Sequence, residues 1–226
     1  SNVVGKYLHD STGTFRTGLI PQLFGRKRYN EDGVRGMHVY SPWWLDNKKL
    51  DFPRGYHIEY GGGMSMPDYN FGWGIEEING RFAGRDGKMK PGGGYGAALK
   101  DDYRYFYGAG ITMAGRGECI AREDNYCEID PNTVDKFGIP ALRFNYTWSD
   151  HEIRQAKHMH DTYEELMHAM GAVPMGARPG PERDYGLKVP GQVIHEVGTT
   201  RMGDDPKRSV LNKFNQAHDC KNLFVV

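Results

Sequence analysis

Apolar residues recur at every second position in several stretches of the chain and at every third or fourth in one long stretch, which separates predicted strands from a predicted helix. Over residues 54–60, Tyr56, Ile58 and Tyr60 fall on one side and His57 and Glu59 on the other. Over residues 140–148 the same alternation sets Leu142, Phe144, Tyr146 and Trp148 against Arg143, Asn145 and Thr147. Residues 36–40 (closed by Pro42), 105–114, 118–121 and 125–129 read as further strands. Gly115-Arg116-Gly117 breaks the second of these from the third, and Asp130-Pro131-Asn132 turns the chain after the last. Half-buried, alternating strands of this kind pair antiparallel. The helix is the most sharply written element. Ser149 and Glu152 form a capping box, Ile153, Ala156, Met159, Tyr163, Leu166 and Met170 keep the three-four spacing, and Gly171 supplies the stop. It is predicted to run unbroken over residues 149–170 and to lay Ile153, Ala156, Tyr163 and Leu166 on the strand that holds Phe144 and Tyr146. A shorter helix is predicted over 95–103, and the Pro- and Gly-rich residues 173–190 read as a surface loop. The predicted fold class is α+β, an antiparallel β-sheet with a long amphipathic helix packed on it.

Composition narrows the function classes. A chain of 226 residues can bury a real core, as one large domain or two small ones. Lys plus Arg equals Asp plus Glu at 29 each, so charge gives no case for nucleic acid or an anionic membrane as partner, and a neutral small molecule is the expected one. No apolar run reaches the length of a membrane span. The chain begins Ser1-Asn2-Val3 without Met, from which loss of the natural N-terminus is expected. Cys119, Cys127 and Cys220 form no C-x-x-C pair; Cys119 and Cys127 could pair across a hairpin, with ordinary thiols the expected state. No metal site is expected. His151, His158, His160 and His168 on the long helix include no i, i+4 pair and read as solvated.

Two glycine- or aromatic-rich stretches bear on ligands. Pro91-Gly92-Gly93-Gly94-Tyr95-Gly96-Ala97 contains a loose G-x-G-x-x-A, but no buried strand precedes it and no acidic residue ends a following strand, so it is read as a turn. Met64, Met66, Tyr69, Phe71 and Trp73 sit among Gly and Pro with neither period. They form either a loop packed down by its aromatics or the wall of a substrate cavity, in which Tyr69 and Trp73, with Trp43 and Trp44 nearby, would meet the C–H face of a sugar.

The chemistry converges on residues 192–203. There a β-branched run delivers one imidazole, His195, to a turn of small residues, as a strand ending in a histidine would. A near-neutral pKa suits His195 to accept a proton. Zinc is not expected, because Thr199 stands where H-E-x-x-H needs its second histidine. Glu196, the next residue on such a strand, would face the other way.

His195-Glu196-Val197-Gly198-Thr199-Thr200-Arg201-Met202-Gly203, followed by Asp205-Pro206, Ser209-Val210-Leu211-Asn212 and Asn222-Leu223-Phe224-Val225-Val226, resembles the C-terminal signature of the glucose-methanol-choline (GMC) flavoprotein oxidoreductases. Residues 2–10, Gly115-Arg116-Gly117-Glu118 with Asn125, and residues 130–140 are similar to that family at lower specificity, closest to bacterial sugar and glucoside dehydrogenases. The resemblance implies FAD as cofactor, a sugar or alcohol as substrate, and hydride transfer to flavin with His195 as the catalytic base. It implies a substrate-binding domain over residues 1–190 and, over 191–226, the start of a segment returning to the flavin domain; the apolar run 223–226 itself reads as a buried strand. Cofactor contacts stay unassigned, with Gly198 and Thr199 the candidates, and the rest of the flavoprotein chain becomes a partner. The glycine-rich FAD segment and the second catalytic residue of the family have no counterpart in the 226 residues. The alternative is therefore a non-catalytic carbohydrate-binding or interaction module without cofactor.

Overall fold

The computed structural model describes residues 2–26, 39–43, 47–62 and 96–226. Along them run β1 (Ser11–Leu19), β2 (Val39–Pro42), β3 (Tyr56–Gly62), α1 (Gly96–Phe106), β4 (Gly110–Glu118), β5 (Tyr126–Val134), β6 (Pro140–Asn145), α2 (Asp150–Met170) and β7 (Val173–Pro174). Five strands form one antiparallel sheet in the order β2-β3-β4-β1-β7. Its spine is β1 on β4, paired from Ser11 opposite Glu118 to Leu19 opposite Gly110. The other two, β5 and β6, make a separate ribbon. The α+β expectation holds at this level.

Helix α2 is unbroken and capped as its sequence predicts. The Ser149 backbone N–H donates to Glu152 Oε2 at 2.7 Å, and Gly171 closes the other end with φ +64°. Such a cap contributes about 1 kcal/mol. Its other carboxylate oxygen accepts the Ile120 N–H at 3.0 Å, tying the helix start to the chain leaving β4.

The helix does not lie on the strand of Phe144 and Tyr146. It crosses β1 and β4, where Met159, Tyr163 and Met167 pack with Phe52, Tyr56, Ile58 and Met113 in the core. The reason is the pair of glycines that the sequence reading took for a strand break. A Cβ on Gly115 would stand 2.5 Å from Met159 Sδ and 2.5 Å from Tyr163 Oη, and one on Gly117 would stand 2.0 Å from Gln155 Oε1. Without side chains there, the helix can settle onto the sheet, and β4 runs straight through residues 115–117. Two buried polar side chains of this contact are matched: Tyr163 Oη donates to the Thr14 carbonyl at 3.1 Å and Gln155 Nε2 to the Gly55 carbonyl at 3.1 Å.

Other boundaries shift for local reasons. Residues 105–109 close α1 and turn at Gly108, φ +75°, so the strand starts at Gly110. Strand β4 ends at Glu118, and no strand covers 119–121. Strand β5 continues past Pro131, with its pairing irregular between Ile129 and Val134, and the ribbon turns at 135–138 around the Asp135 carboxylate. On this ribbon Glu128 pairs with Arg143 across one face, while on the other Ile129, Leu142 and Phe144 are 65, 56 and 60% exposed rather than half-buried against a sheet. The 223–226 run is likewise exposed and touches the fold through a bridge between Gln216 and Phe224.

The helix histidines are not solvated as a set. His151 and His160 are buried, the His151 Nε2–H donates to the Glu118 carbonyl at 2.9 Å, and His158 Nδ1 lies 2.7 Å from the Tyr56 hydroxyl. They face the sheet and the short 3₁₀ helix Pro181–Gly186, so burial replaces solvation. The loop after α2 is fixed by a buried guanidinium: Arg16 Nη1 donates to the carbonyls of Met175, Gly176 and Ala177 at 3.2, 3.1 and 2.9 Å.

Two outcomes follow. Gly115→Ala should lower stability by about 1–3 kcal/mol, the usual cost of an overpacked core; an unchanged melting temperature would refute the close approach of α2. His160 is held below its ordinary pKa of 6.5 chiefly by desolvation, so the unfolded chain binds its proton more readily than the folded one. Stability should be full above about pH 6.5 and fall as the pH drops below it. Denaturant midpoints at pH 7.5 and 5.5 check this, and the difference should shrink in His160→Leu.

Candidate active site

His195 reaches its place through residues 5–10, which carry hydrogen bonds on both edges. On one edge the Leu8 N–H donates to Asn125 at 2.9 Å and the Gly5 carbonyl accepts the Cys127 N–H at 2.9 Å. On the other, His9 and Val197 exchange both backbone hydrogen bonds at 3.0 and 2.8 Å, Gly5 donates to the Thr199 carbonyl at 2.8 Å, and the Thr199 N–H donates to Lys6 at 3.1 Å. Gly198, φ +94°, lies so close that a Cβ would stand 2.0 Å from the Tyr7 carbonyl oxygen. Arg201 adds a cation–π contact 4.3 Å from the centre of the Tyr7 ring.

His195 does not end a strand. Ile194 has φ +68°, a left-handed conformation in which a β-branched residue is a genuine outlier, and of residues 193–197 Val197 alone makes a bridge. The run is β-branched, yet the chain here turns from buried Val193 to exposed Ile194 and His195. Glu196 is exposed and lies outside any strand, so no strand sets it on an opposite face. A cleft of ≈ 540 Å³ takes His195 and Val197 into its wall and not Glu196.

The same wall holds His9, Asp10, Ser11, Arg54, Glu118 and Cys119. The His9 Nδ1–H donates to the Tyr7 carbonyl at 2.8 Å. Arg54 and Glu118 form an exposed ion pair at 3.6 Å. Asp10 is buried; its Oδ1 accepts the backbone N–H of Ser11 at 2.6 Å and that of His195 at 3.1 Å. Its own N–H donates to the Tyr146 hydroxyl at 3.1 Å. Burial pushes the Cys119 thiol up to about 12, with the Glu152 carboxylate adding to the shift, and burial likewise raises Tyr146. All three cysteines are free thiols.

Gly198 and Thr199, the cofactor candidates, have their backbones engaged with residues 5–7. Tyr69, Trp73, Trp44 and most of the 91–97 turn lie outside the described residues. Among the described residues no cluster of three or more His, Cys, Asp or Glu could hold a metal ion, and no helix is long and apolar enough to cross a membrane.

Residues 121–226 match the family model of the GMC oxidoreductases. This stretch is a GMC C-terminal domain. Over 130 residues the chain is 33% identical to the gluconate 2-dehydrogenase flavoprotein of Pantoea cypripedii, covering 57% of this chain and 20% of that protein. Over 137 residues it is 34% identical to the 2-methyl-1,2-propanediol dehydrogenase of Mycolicibacterium austroafricanum, covering 59% and 24%. A C-glycoside 3-oxidase of Arthrobacter globiformis is 35% identical over 109 residues, 47% of this chain and 19% of the oxidase. The chain thus spans about a fifth to a quarter of the length of these relatives. The GMC match contains His195 and the loop around it, and the cleft adds residues that sequence reasoning did not single out: Asp10, His9, Arg54 and Glu118. His9 and Asp10, within the family-like 2–10 segment, and Glu118, within the family-like 115–118 run, carried a weak signal, and Arg54 carried none.

The raised thiol of Cys119 gives a direct check on the packing of this wall. At pH 8 it is almost wholly protonated, and the thiolate is the nucleophile. Iodoacetamide should label exposed Cys220 well before Cys119 in the native protein, and peptide mapping reads the order. Equal rates would mean that the Asp10, Tyr146 and Cys119 cluster is open to water.

Proposed function

We propose that these residues form the substrate-side part of an FAD-dependent oxidoreductase acting on CH–OH groups, with His195 as general base. The observation that carries this reading is an exposed imidazole in the wall of a polar cleft, on a loop held by backbone hydrogen bonds, within a GMC domain. Flanking side chains fit a flat, largely apolar ring nearby, since Ile194 and Val197 are both more than half exposed beside the imidazole. When bound, FAD supplies the acceptor for the hydride that leaves the carbinol carbon. His195 accepts the hydroxyl proton on a ring nitrogen as the C–H bond breaks. Help of this kind is worth roughly a hundred- to ten-thousand-fold.

The remaining residues have supporting parts. Gly198 and Thr199 serve the cofactor side by docking the loop onto residues 5–7, Thr199 through both of its backbone groups and Gly198 through its close approach to the Tyr7 carbonyl. A sugar or glycoside is the favoured substrate. Support comes from Arg54 and Glu118 in the cleft wall and from relatives named for gluconate, a C-glycoside and paromamine. Tyr69 and Trp73 are assigned on sequence grounds to the apolar side of the substrate. Residues 1–190 form the substrate domain, and 191–226 begin the return to the flavin part.

In the complete flavoprotein, His195→Ala should leave the flavin spectrum intact and slow anaerobic flavin reduction by roughly two to four powers of ten. Glu196→Gln should cost much less. Stopped-flow reduction decides: a crippled Glu196 variant beside a fast His195 variant would make His195 a structural residue.

A further inference from the structure

We propose that Asp10 is a positioning residue for His195, holding the peptide that carries the imidazole in a conformation its own sequence disfavours. This rests on His195 being the base. The loop is pinned at Val193, which is 3% exposed, and at Val197, which pairs with His9 through both backbone hydrogen bonds. Between these pins lies Ile194, a β-branched residue at φ +68° with its side chain 76% exposed. No packing of that side chain pays for the conformation, and strain of this kind persists only where the surroundings over-determine it. The group that does so is the Asp10 carboxylate, which accepts the N–H of His195, on the peptide that joins it to Ile194.

Asp10 is built to hold still. It is 4% exposed, its backbone N–H is fixed on the Tyr146 hydroxyl, and the oxygen that receives His195 also receives the N–H of Ser11, the first residue of β1. The loop is therefore referenced to the end of a central strand. A carboxylate with two backbone N–H donors on one oxygen is a charge-assisted acceptor, stronger than a neutral one. An imidazole displaced by even 1 Å from its productive place can lose about a hundred-fold in rate. Asp10 touches neither the hydroxyl proton nor the hydride in this scheme and acts through the backbone of His195.

The test is a double-mutant cycle in the complete flavoprotein, read as the limiting rate of anaerobic flavin reduction at saturating sugar. The flavin spectrum and melting temperature serve as the folding control. Asp10→Ala alone should slow reduction about a hundred-fold with little change in apparent substrate affinity, and Asp10→Asn, which keeps an acceptor oxygen, should restore most of the loss. In a His195→Ala background, Asp10→Ala should cost nothing further. If Asp10→Ala does not fold, Asp10→Ser takes its place: a polar side chain too short to reach the His195 N–H, which should slow reduction in the parent and not beside His195→Ala. Equal losses in both backgrounds, or no loss in the parent, overturn the positioning role while the large effect of His195→Ala stands. A His195→Ala protein that reduces at the parent rate instead removes the general-base reading, and this one with it.

Discussion

The structure depends on a short segment, residues 5–10, being approached by backbone on both of its edges. Gly5 and Gly198 make this possible, at φ +82° and +94°, because a Cβ on either would sit about 2 Å from a carbonyl oxygen, of Cys127 in one case and Tyr7 in the other. Through that segment three parts otherwise distant in sequence become one body: the β1–β4 sheet that Asp10 leads into, the ribbon that starts at Tyr126, and the loop of His195. Side chains alone could not do this. Main-chain hydrogen bonds fix both distance and register, and a loop carrying a proton acceptor needs both.

Elements whose cause is local were legible in the sequence. Helix α2 is written in its cap, its spacing and its stop, and β3 in the alternation of Tyr56, Ile58 and Tyr60. Elements whose cause is a neighbour were not. Gly115 and Gly117 read as punctuation because a single sequence cannot show that a helix from forty residues further on needs the room. Likewise the helix histidines read as solvated because the partners that bury them, the carbonyl of Glu118 and the hydroxyl of Tyr56, come from other strands.

The candidate site divides in the same way. His195 was found through a spaced block resembling a family, not through its own surroundings, and the strand inferred for it gave way to a left-handed turn at Ile194. Asp10 is 185 residues away in sequence from the N–H it receives, and no local pattern predicts that meeting. What residue types can announce is a proton acceptor; what aims it is topology.

The β5–β6 ribbon has a colloidal consequence. Its face of Ile129, Leu142 and Phe144 meets water, while the charges on the reverse face are paired with each other. The 226 residues carry a formal net charge of zero at pH 7. Copies of the chain therefore feel no long-range repulsion at neutral pH to oppose contact between these faces, and the screening length of the buffer hardly matters. Handling conditions a unit or two from neutrality would restore that repulsion, so solubility of this chain should be governed by titration more than by ionic strength.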